Sequence, residues 1–285
     1  MPKTYNELYI DLRKRLKEIC PEGCSLEARL LLAHAAGKTT EKLLQDLQLY
    51  TSPEIEARLE ELAARRFAGE PIAYITEKWE FYGLELTVTP DVLIPRSDTE
   101  VLVEKTLELV SNSAAELRIL DLCTGSGCIG CALGHELPRS RVVLADLSKA
   151  ALRVAKQNTH DCGLGTRAIC VETDVMLPPP SQLGSFDLIV SNPPYIERAE
   201  IPTLDASVRE YEPHMALDGG EDGLDFYRAI LKLWRPLLRS GGWMLLEVGE
   251  TQAEAVGQLM RHAGLRGIGF EDDTAGYHRV VYGKA

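Results

Sequence analysis

The chain has 285 residues, with 45% apolar and 26% charged residues, a composition that suits one large globular domain plus a smaller one. Its net charge of -12 argues against stable binding of duplex nucleic acid, where Lys and Arg contacts to phosphates supply the non-specific affinity. No apolar run reaches the ~20 residues of a membrane span, and the start, Met1 to Glu7, lacks the basic-then-apolar order of a signal peptide; the expected location is the cytoplasm.

Residues 1–76 predict a small all-α bundle. Tyr5, Leu8, Tyr9, Leu12, Leu16 and Ile19 recur at helical spacing. A second helix is expected from a cap at Ser25 to Gly37, and a third from Glu41 to Leu49. The fourth starts at Ser52-Pro53, with Ser as cap and Pro at the first helical position. It carries the stripe Ile55, Leu59, Leu62 and Ala63, and Gly69 ends it. Arg13-Lys14-Arg15-x-Lys17 and Arg65-Arg66 fall inside these helices and read as solvated faces. Residues 77–96 form a hairpin and linker: Trp79 to Val88 places Gly83 between two stretches rich in β-formers.

Residues 97–285 make the large domain. Ser97-Asp98-Thr99-Glu100 fits a capping box opening a helix through Val110. Strands are then expected at Arg118–Cys123, Arg141–Ala145, Arg167–Val171, Phe186–Ser191 and Trp243–Val248, with later ones near Arg266–Phe270 and Tyr277–Tyr282. Helices fall near 127–136, 148–160 and 223–239. This alternation predicts an α/β fold, a mostly parallel Rossmann-like sheet covered on both faces.

The first βα unit runs Asp121-Leu122-Cys123-Thr124-Gly125-Ser126-Gly127-Cys128-Ile129-Gly130, and Asp146 follows the next strand. Gly125-x-Gly127-x-x-Gly130 with an acid ~20 residues on is the dinucleotide fingerprint. S-adenosylmethionine suits the same layout: it also has a ribose for Asp146, and glycines let the backbone approach its amino-acid portion. Asp121 has two readings, a contact to that cofactor's ammonium or a strand-end carboxylate bonded to loop amides. Cys123-x4-Cys128-x2-Cys131 overlaps an iron–sulfur spacing, but Cys128 and Cys131 share one face of the following helix and read as packing residues. No metal site is expected.

The fourth strand chooses between the cofactors. Phe186 to Ser191 leads into Asn192-Pro193-Pro194-Tyr195, on the rim where ligands of parallel sheets sit. A planar nitrogen is a poor nucleophile because its lone pair is delocalised. The Asn192 side-chain oxygen and the Pro193 carbonyl can accept hydrogen bonds from its NH2 and orient it. The prolines hold these acceptors in place beforehand, and Tyr195 offers a flat face. Alone the tetrad is only a rigid turn. After a glycine loop and an acid in this order it points to methyl transfer, for which a nicotinamide enzyme gives no reason.

These motifs, with Leu93-Ile94-Pro95-Arg96-x-Asp98-Thr99-Glu100, Pro71-x-x-Tyr74-Ile75 and Gly276-x-x-Arg279-Val280, resemble those of the peptide chain release factor glutamine methyltransferases across nearly the whole chain. The resemblance implies a seven-stranded class I methyltransferase domain with one antiparallel strand, and a helical domain that helps bind the substrate. That substrate is the glutamine of the Gly-Gly-Gln motif in class I release factors, methylated on its amide nitrogen. It also implies cofactor contacts at Cys123, Thr124, Gly125, Ser126, Gly127, Asp146, Val175 and Asn192. Substrate contacts fall at Asn192, Pro193, Pro194 and Tyr195, of which Asn192, Pro193 and Tyr195 carry the catalytic step. The protein is expected to act as a monomer. Three positions depart from the pattern: Cys123 stands for a usual Gly, Ser97 for Pro, and Val175 for a frequent aromatic. The competing readings are a methyltransferase of a nucleic-acid base amine, a dinucleotide-dependent oxidoreductase, and a binding protein that has lost catalysis.

Overall fold

Thr4 opens the first helix, α1 (Tyr5–Leu16), by a reciprocal pair of bonds. The Glu7 N–H donates to Thr4 Oγ1 at 3.2 Å and the Thr4 N–H to Glu7 Oε2 at 2.8 Å. The computed structural model describes residues 2–111 and 116–285. It falls into two units, Met1–Lys78 with Ala206–Tyr211, and Trp79–Asp205 with Glu212–Ala285.

In the first unit, α2 (Cys24–Ala36) starts earlier than expected. Gly23 is its N-cap, so Ser25 lies inside the first turn and caps nothing; Gly37 at φ 62° ends it. Next, α3 (Thr40–Gln45) is capped by Thr39 and stops well short of Leu49. The backbone beyond it is spent elsewhere, as the Leu47 and Leu49 carbonyls accept from the Asn6 and Tyr5 N–H groups. Ser52 and Pro53 start α4 (Pro53–Phe67) in the expected roles. A fifth helix, α5 (Ile72–Thr76), is one turn of buried residues, too short to show a period. Leu8, Leu12, Leu16, Leu31, Leu32 and Leu59 are all buried. The segment Ala206–Tyr211 belongs to this unit, with the Tyr211 hydroxyl donating to the Ala68 carbonyl at 3.0 Å.

The second unit begins with the hairpin β1 (Lys78–Phe81) and β2 (Leu84–Thr87). Its turn residues Tyr82 and Gly83 sit at φ 51° and 72°, which is the hairpin geometry that matches strand twist. The capping box at Ser97 does not form. Ser97–Thr99 is a 3-10 turn without a side-chain cap ahead of α6 (Glu100–Val110). Glu100 instead accepts the Tyr82 N–H at 2.9 Å.

The remaining elements are β3 (Arg118–Leu122), α7 (Cys128–Glu136), β4 (Arg141–Asp146), α8 (Lys149–Asp161), β5 (Ala168–Glu172), β6 (Phe186–Ser191), α9 (Ala206–Tyr211), α10 (Asp225–Ala229), β7 (Leu238–Glu247), α11 (Ala253–His262), β8 (Arg266–Asp272) and β9 (His278–Lys284). The single helix expected over 223–239 is instead α10, a π turn at Ile230–Trp234 and a 3-10 turn at Arg235–Leu237. Pro236 has no N–H to continue the α ladder.

The seven strands run β5-β4-β3-β6-β7-β9-β8, and only β9 is antiparallel to its neighbours. Alternate residues feed opposite faces. Leu120, Leu122, Ile189 and Leu246 meet Tyr227, Trp234 and Val256 on one side. Ile119, Leu144, Leu188 and Leu245 meet Leu102, Cys131 and Ala155 on the other. The order reverses between β4–β3 and β6, which opens a crevice at the carboxyl ends of the central strands.

Candidate active site

A cleft of about 260 Å³ lies at that crevice, lined entirely by second-unit residues. The glycine loop forms one wall. Cys123 leaves β3 in the left-handed region at φ 56°, a conformation that Gly reaches without strain and that costs a side chain about 1 kcal/mol or more. Burial pushes its thiol well above the usual range. Gly125 is also left-handed, at φ 55°, and has nothing within 4 Å of where a Cβ would stand. Its N–H donates to Asp146 Oδ2 at 2.9 Å, and the Ser148 N–H to Asp146 Oδ1 at 2.8 Å. These bonds hold the carboxylate at the end of β4, facing the cleft. Each oxygen keeps a further lone pair for a ribose hydroxyl.

Asp121 follows its second reading, as a brace for the loop. Its carboxyl is fully buried, and Oδ2 accepts from Thr124 Oγ1 at 2.5 Å and the Gly130 N–H at 3.0 Å. Oδ1 has no partner, and burial raises the group to about 7. Asp121 is not among the residues lining the cleft. Asn158, buried on α8, ties the other side of the loop by donating to the Ser126 carbonyl at 2.8 Å and the Thr87 carbonyl at 2.9 Å.

Of the residues expected at the site, the cleft brings together Cys123, Thr124, Gly125, Ser126, Asp146, Val175, Asn192 and Pro194. Three others do not line it. Gly127 faces away, and a Cβ there would meet Leu144 at 2.9 Å and Ala155 at 3.1 Å. Pro193 is buried, and Tyr195 is half-buried, its backbone carbonyl accepting from Gln252 Nε2 at 2.8 Å. Val175 is held by Trp234, whose Nε1 donates to its carbonyl at 2.8 Å. The thiols of Cys128 and Cys131 are free and buried in α7. No group of three or more His, Cys, Asp or Glu could hold a metal ion among the described residues.

Asn192 lines the cleft at the end of β6, next to the strand end from which the loop leaves. Its Nδ2 donates to Thr99 Oγ1 at 3.2 Å, which leaves Oδ1 as the acceptor. Thr99, Arg96 and Met176 also line the cleft; the first two stand in the Leu93 to Glu100 motif, but no sequence signal placed any of the three at the site. Glu212 anchors this wall: it accepts from Arg96 at 2.5 Å and from the Ile94 N–H at 3.2 Å. The only sequence cue to Glu212 is a charged residue far from any motif.

S-adenosylmethionine fits these residues. The open Gly125 backbone would admit its amino-acid portion, the Asp146 carboxylate would face its ribose, and Val175 and Met176 would give an apolar seat for its base. Fold and site together define an S-adenosylmethionine-dependent methyltransferase. Residues 7–76 match the PrmC N-terminal domain model and residues 97–209 the methyltransferase small domain model. The chain is 42% identical to the release factor glutamine methyltransferase of Geobacter sulfurreducens, over 95% of this chain and 93% of that protein. It is 44% identical to that of Moorella thermoacetica, over 84% and 83%. Among solved structures, the hMettl16 catalytic domain in complex with an RNA 3'UTR hairpin shares the fold, with a TM-score of 0.57 at 17% identity over 82% of each chain. The chain belongs to the release factor glutamine methyltransferase family.

Proposed function

We infer that this protein transfers a methyl group from S-adenosylmethionine to the side-chain amide nitrogen of the glutamine in the Gly-Gly-Gln motif of class I release factors. The observation that carries the reading is Asn192. Its Nδ2 is engaged by Thr99 and its oxygen is left to accept from a planar NH2, at the end of the strand beside the one that runs into the glycine loop. The names of the relatives support glutamine as the source of that NH2.

S-adenosylmethionine supplies an electrophilic methyl group on a sulfonium. The chain's own residues then bind and position. Cys123, Thr124, Gly125, Ser126, Asp146, Val175 and Asn192 would hold the cofactor, while Gly127 supports the loop from behind. Asn192 Oδ1 and the Pro193 carbonyl accept from the glutamine NH2, while Pro194 and Tyr195 confine the amide plane. No strong base is required, because the amide proton becomes acidic once the nitrogen is alkylated, so orientation is the main contribution. In this reading residues 1–76 recognise the release factor, residues 77–96 link, and residues 97–285 carry the chemistry. The enzyme works as a cytoplasmic monomer without stably bound nucleic acid; no described helix is long and apolar enough to cross a membrane.

Labelled methyl transfer to a purified release factor and to its Gln→Ala variant tests this. Label is expected on the first alone, and equal label on both would sink the assignment. Asn192→Ala should abolish most transfer in a folded protein, and full activity there would remove the role given to the tetrad.

A further inference from the structure

Pro193 and Pro194 carry no backbone N–H. Neither can pin the tetrad by donating to a neighbouring strand, and the Pro193 carbonyl must stay free for the substrate NH2. The position of these acceptors is therefore set where the chain enters and leaves the tetrad. Entry is fixed by β6, whose Ser191 pairs with Leu122 of β3 and Leu246 of β7. The exit has a fastening of its own. Gln252 Nε2 donates to the Tyr195 carbonyl at 2.8 Å and to the Gly223 carbonyl at 3.3 Å, while its Oε1 accepts from the Gly249 N–H at 3.0 Å. One residue on, the Ile196 N–H donates to the Leu217 carbonyl at 3.0 Å and the Ile196 carbonyl accepts from the Gly219 N–H at 2.8 Å.

The Gly249 N–H leaves the Gln252 amide one way round, with its oxygen toward Gly249 and its NH2 toward the two carbonyls. Three glycines close in on the same spot. A Cβ on Gly219 would stand 2.6 Å from Tyr195 Cα, and one on Gly223 would stand 2.3 Å from the Tyr195 carbonyl oxygen. A Cβ on Gly249 would lie 3.4 Å from Tyr195 Cδ2. Resting on the function proposed above, we propose that Gln252 is a positioning residue for methyl transfer. It clamps the exit of the tetrad, so that Asn192 Oδ1 and the Pro193 carbonyl hold their aim at the glutamine NH2.

Local helix chemistry does not explain a glutamine at this position. Residue 252 is the N-cap of α11, where Ser, Thr, Asp and Asn serve best, and Gln252 makes no side-chain cap bond. Its side chain instead joins the Gly249 amide, just beyond β7, to the tetrad and to Gly223. That task needs one group that accepts at one end and donates at the other. A leucine would withdraw the donor from both carbonyls, and a glutamate would set a carboxylate oxygen against them.

The test is steady-state methylation of a release factor by Gln252→Leu, Gln252→Glu, Gln252→Asn and Gly219→Ala, with cofactor affinity by calorimetry and thermal melts run alongside. Gln252→Leu and Gln252→Glu should each lower kcat by on the order of 10- to 100-fold, as small losses of alignment do, with KM and cofactor affinity nearly unchanged. Gln252→Asn keeps an amide that suits a helix start but is one methylene too short to bridge Gly249 and Tyr195. It should melt close to the wild type and still be slow. Gly219→Ala presses on Tyr195 from the other side and should slow kcat in the same way. Folded Gln252→Leu and Gln252→Asn proteins with wild-type kcat overturn the clamp, as does a Gln252→Glu protein as fast as the wild type. Losses of kcat that merely follow losses of melting temperature across the four variants overturn it too. Wild-type protein that binds the cofactor but leaves the release factor glutamine unmethylated overturns the parent reading, and the clamp with it.

Discussion

Two carboxyls bracket this site, Asp121 fully buried and Asp146 partly exposed at the cleft wall, and at the residue scale they have the largest consequences. Asp121 is raised to about 7 by burial that outweighs the Thr124 and Gly130 donors. An acid held above its unfolded value of ~3.9 binds its proton more tightly when folded, so its contribution favours the folded state at low pH and is lost as pH rises through about 7. Cofactor-free protein should therefore lose thermal stability between about pH 4 and 7 relative to Asp121→Asn; parallel melting curves across that window would contradict the burial argument. Asp146 differs in being tied to the Gly125 and Ser148 amides at the cleft wall. Asp146→Ala removes a charged acceptor of the ribose and the anchor of the loop, and should weaken cofactor binding by about 10- to 100-fold, from ~1.5–3 kcal/mol per such bond. Calorimetry with S-adenosylhomocysteine measures it, and unchanged affinity would make the acid merely structural. The order of these residues along the chain was legible because strand ends, glycines and acids carry local signals. That Asp121 turns inward was not, since a one-dimensional pattern does not say which face of a strand end stays dry.

At the scale of elements, the glycine loop sits against α7 and α8 as well as the cleft. A Cβ on Gly127 would approach Leu144 at 2.9 Å and Ala155 at 3.1 Å, and its φ is +81°. Gly127→Ala should cost about 2 kcal/mol or more through strain and overpacking, read as a lower urea midpoint at unchanged slope. A midpoint like that of the wild type would mean the helix can shift freely. The helix start at Ser52 follows local chemistry and was readable; the Thr4 cap of α1 was not read, though it too is local. Ser25 and Ser97 do not cap: α2 starts at Gly23, without a side-chain cap, and Glu100 is drawn away to the hairpin at Tyr82.

For the whole molecule, every residue lining the cleft belongs to the second unit. A protein comprising residues 79–285 should bind the cofactor about as well as the full chain. Under the proposed division of labour it should methylate a release factor with a much higher KM. Loss of cofactor binding in a folded truncation would place part of that site in the first 78 residues. The segment Ala206–Tyr211 complicates a clean cut, because it lies in the second half of the chain yet packs with the first unit. No local pattern marks such a crossing, since it depends on contacts such as Tyr211 with Ala68, far apart in sequence.

The sequence by itself determined the alternation of strands and helices, the loop and acid that suit S-adenosylmethionine, and the tetrad that suits a planar nitrogen. Those signals are short-range: periodicity, turn chemistry, and residue types at fixed spacing. Only the tertiary structure decided which way the Asn192 amide faces. Thr99, which accepts from the Asn192 Nδ2, comes from an element distant in the chain, and a hydrogen-bond direction exists only once its partners have met.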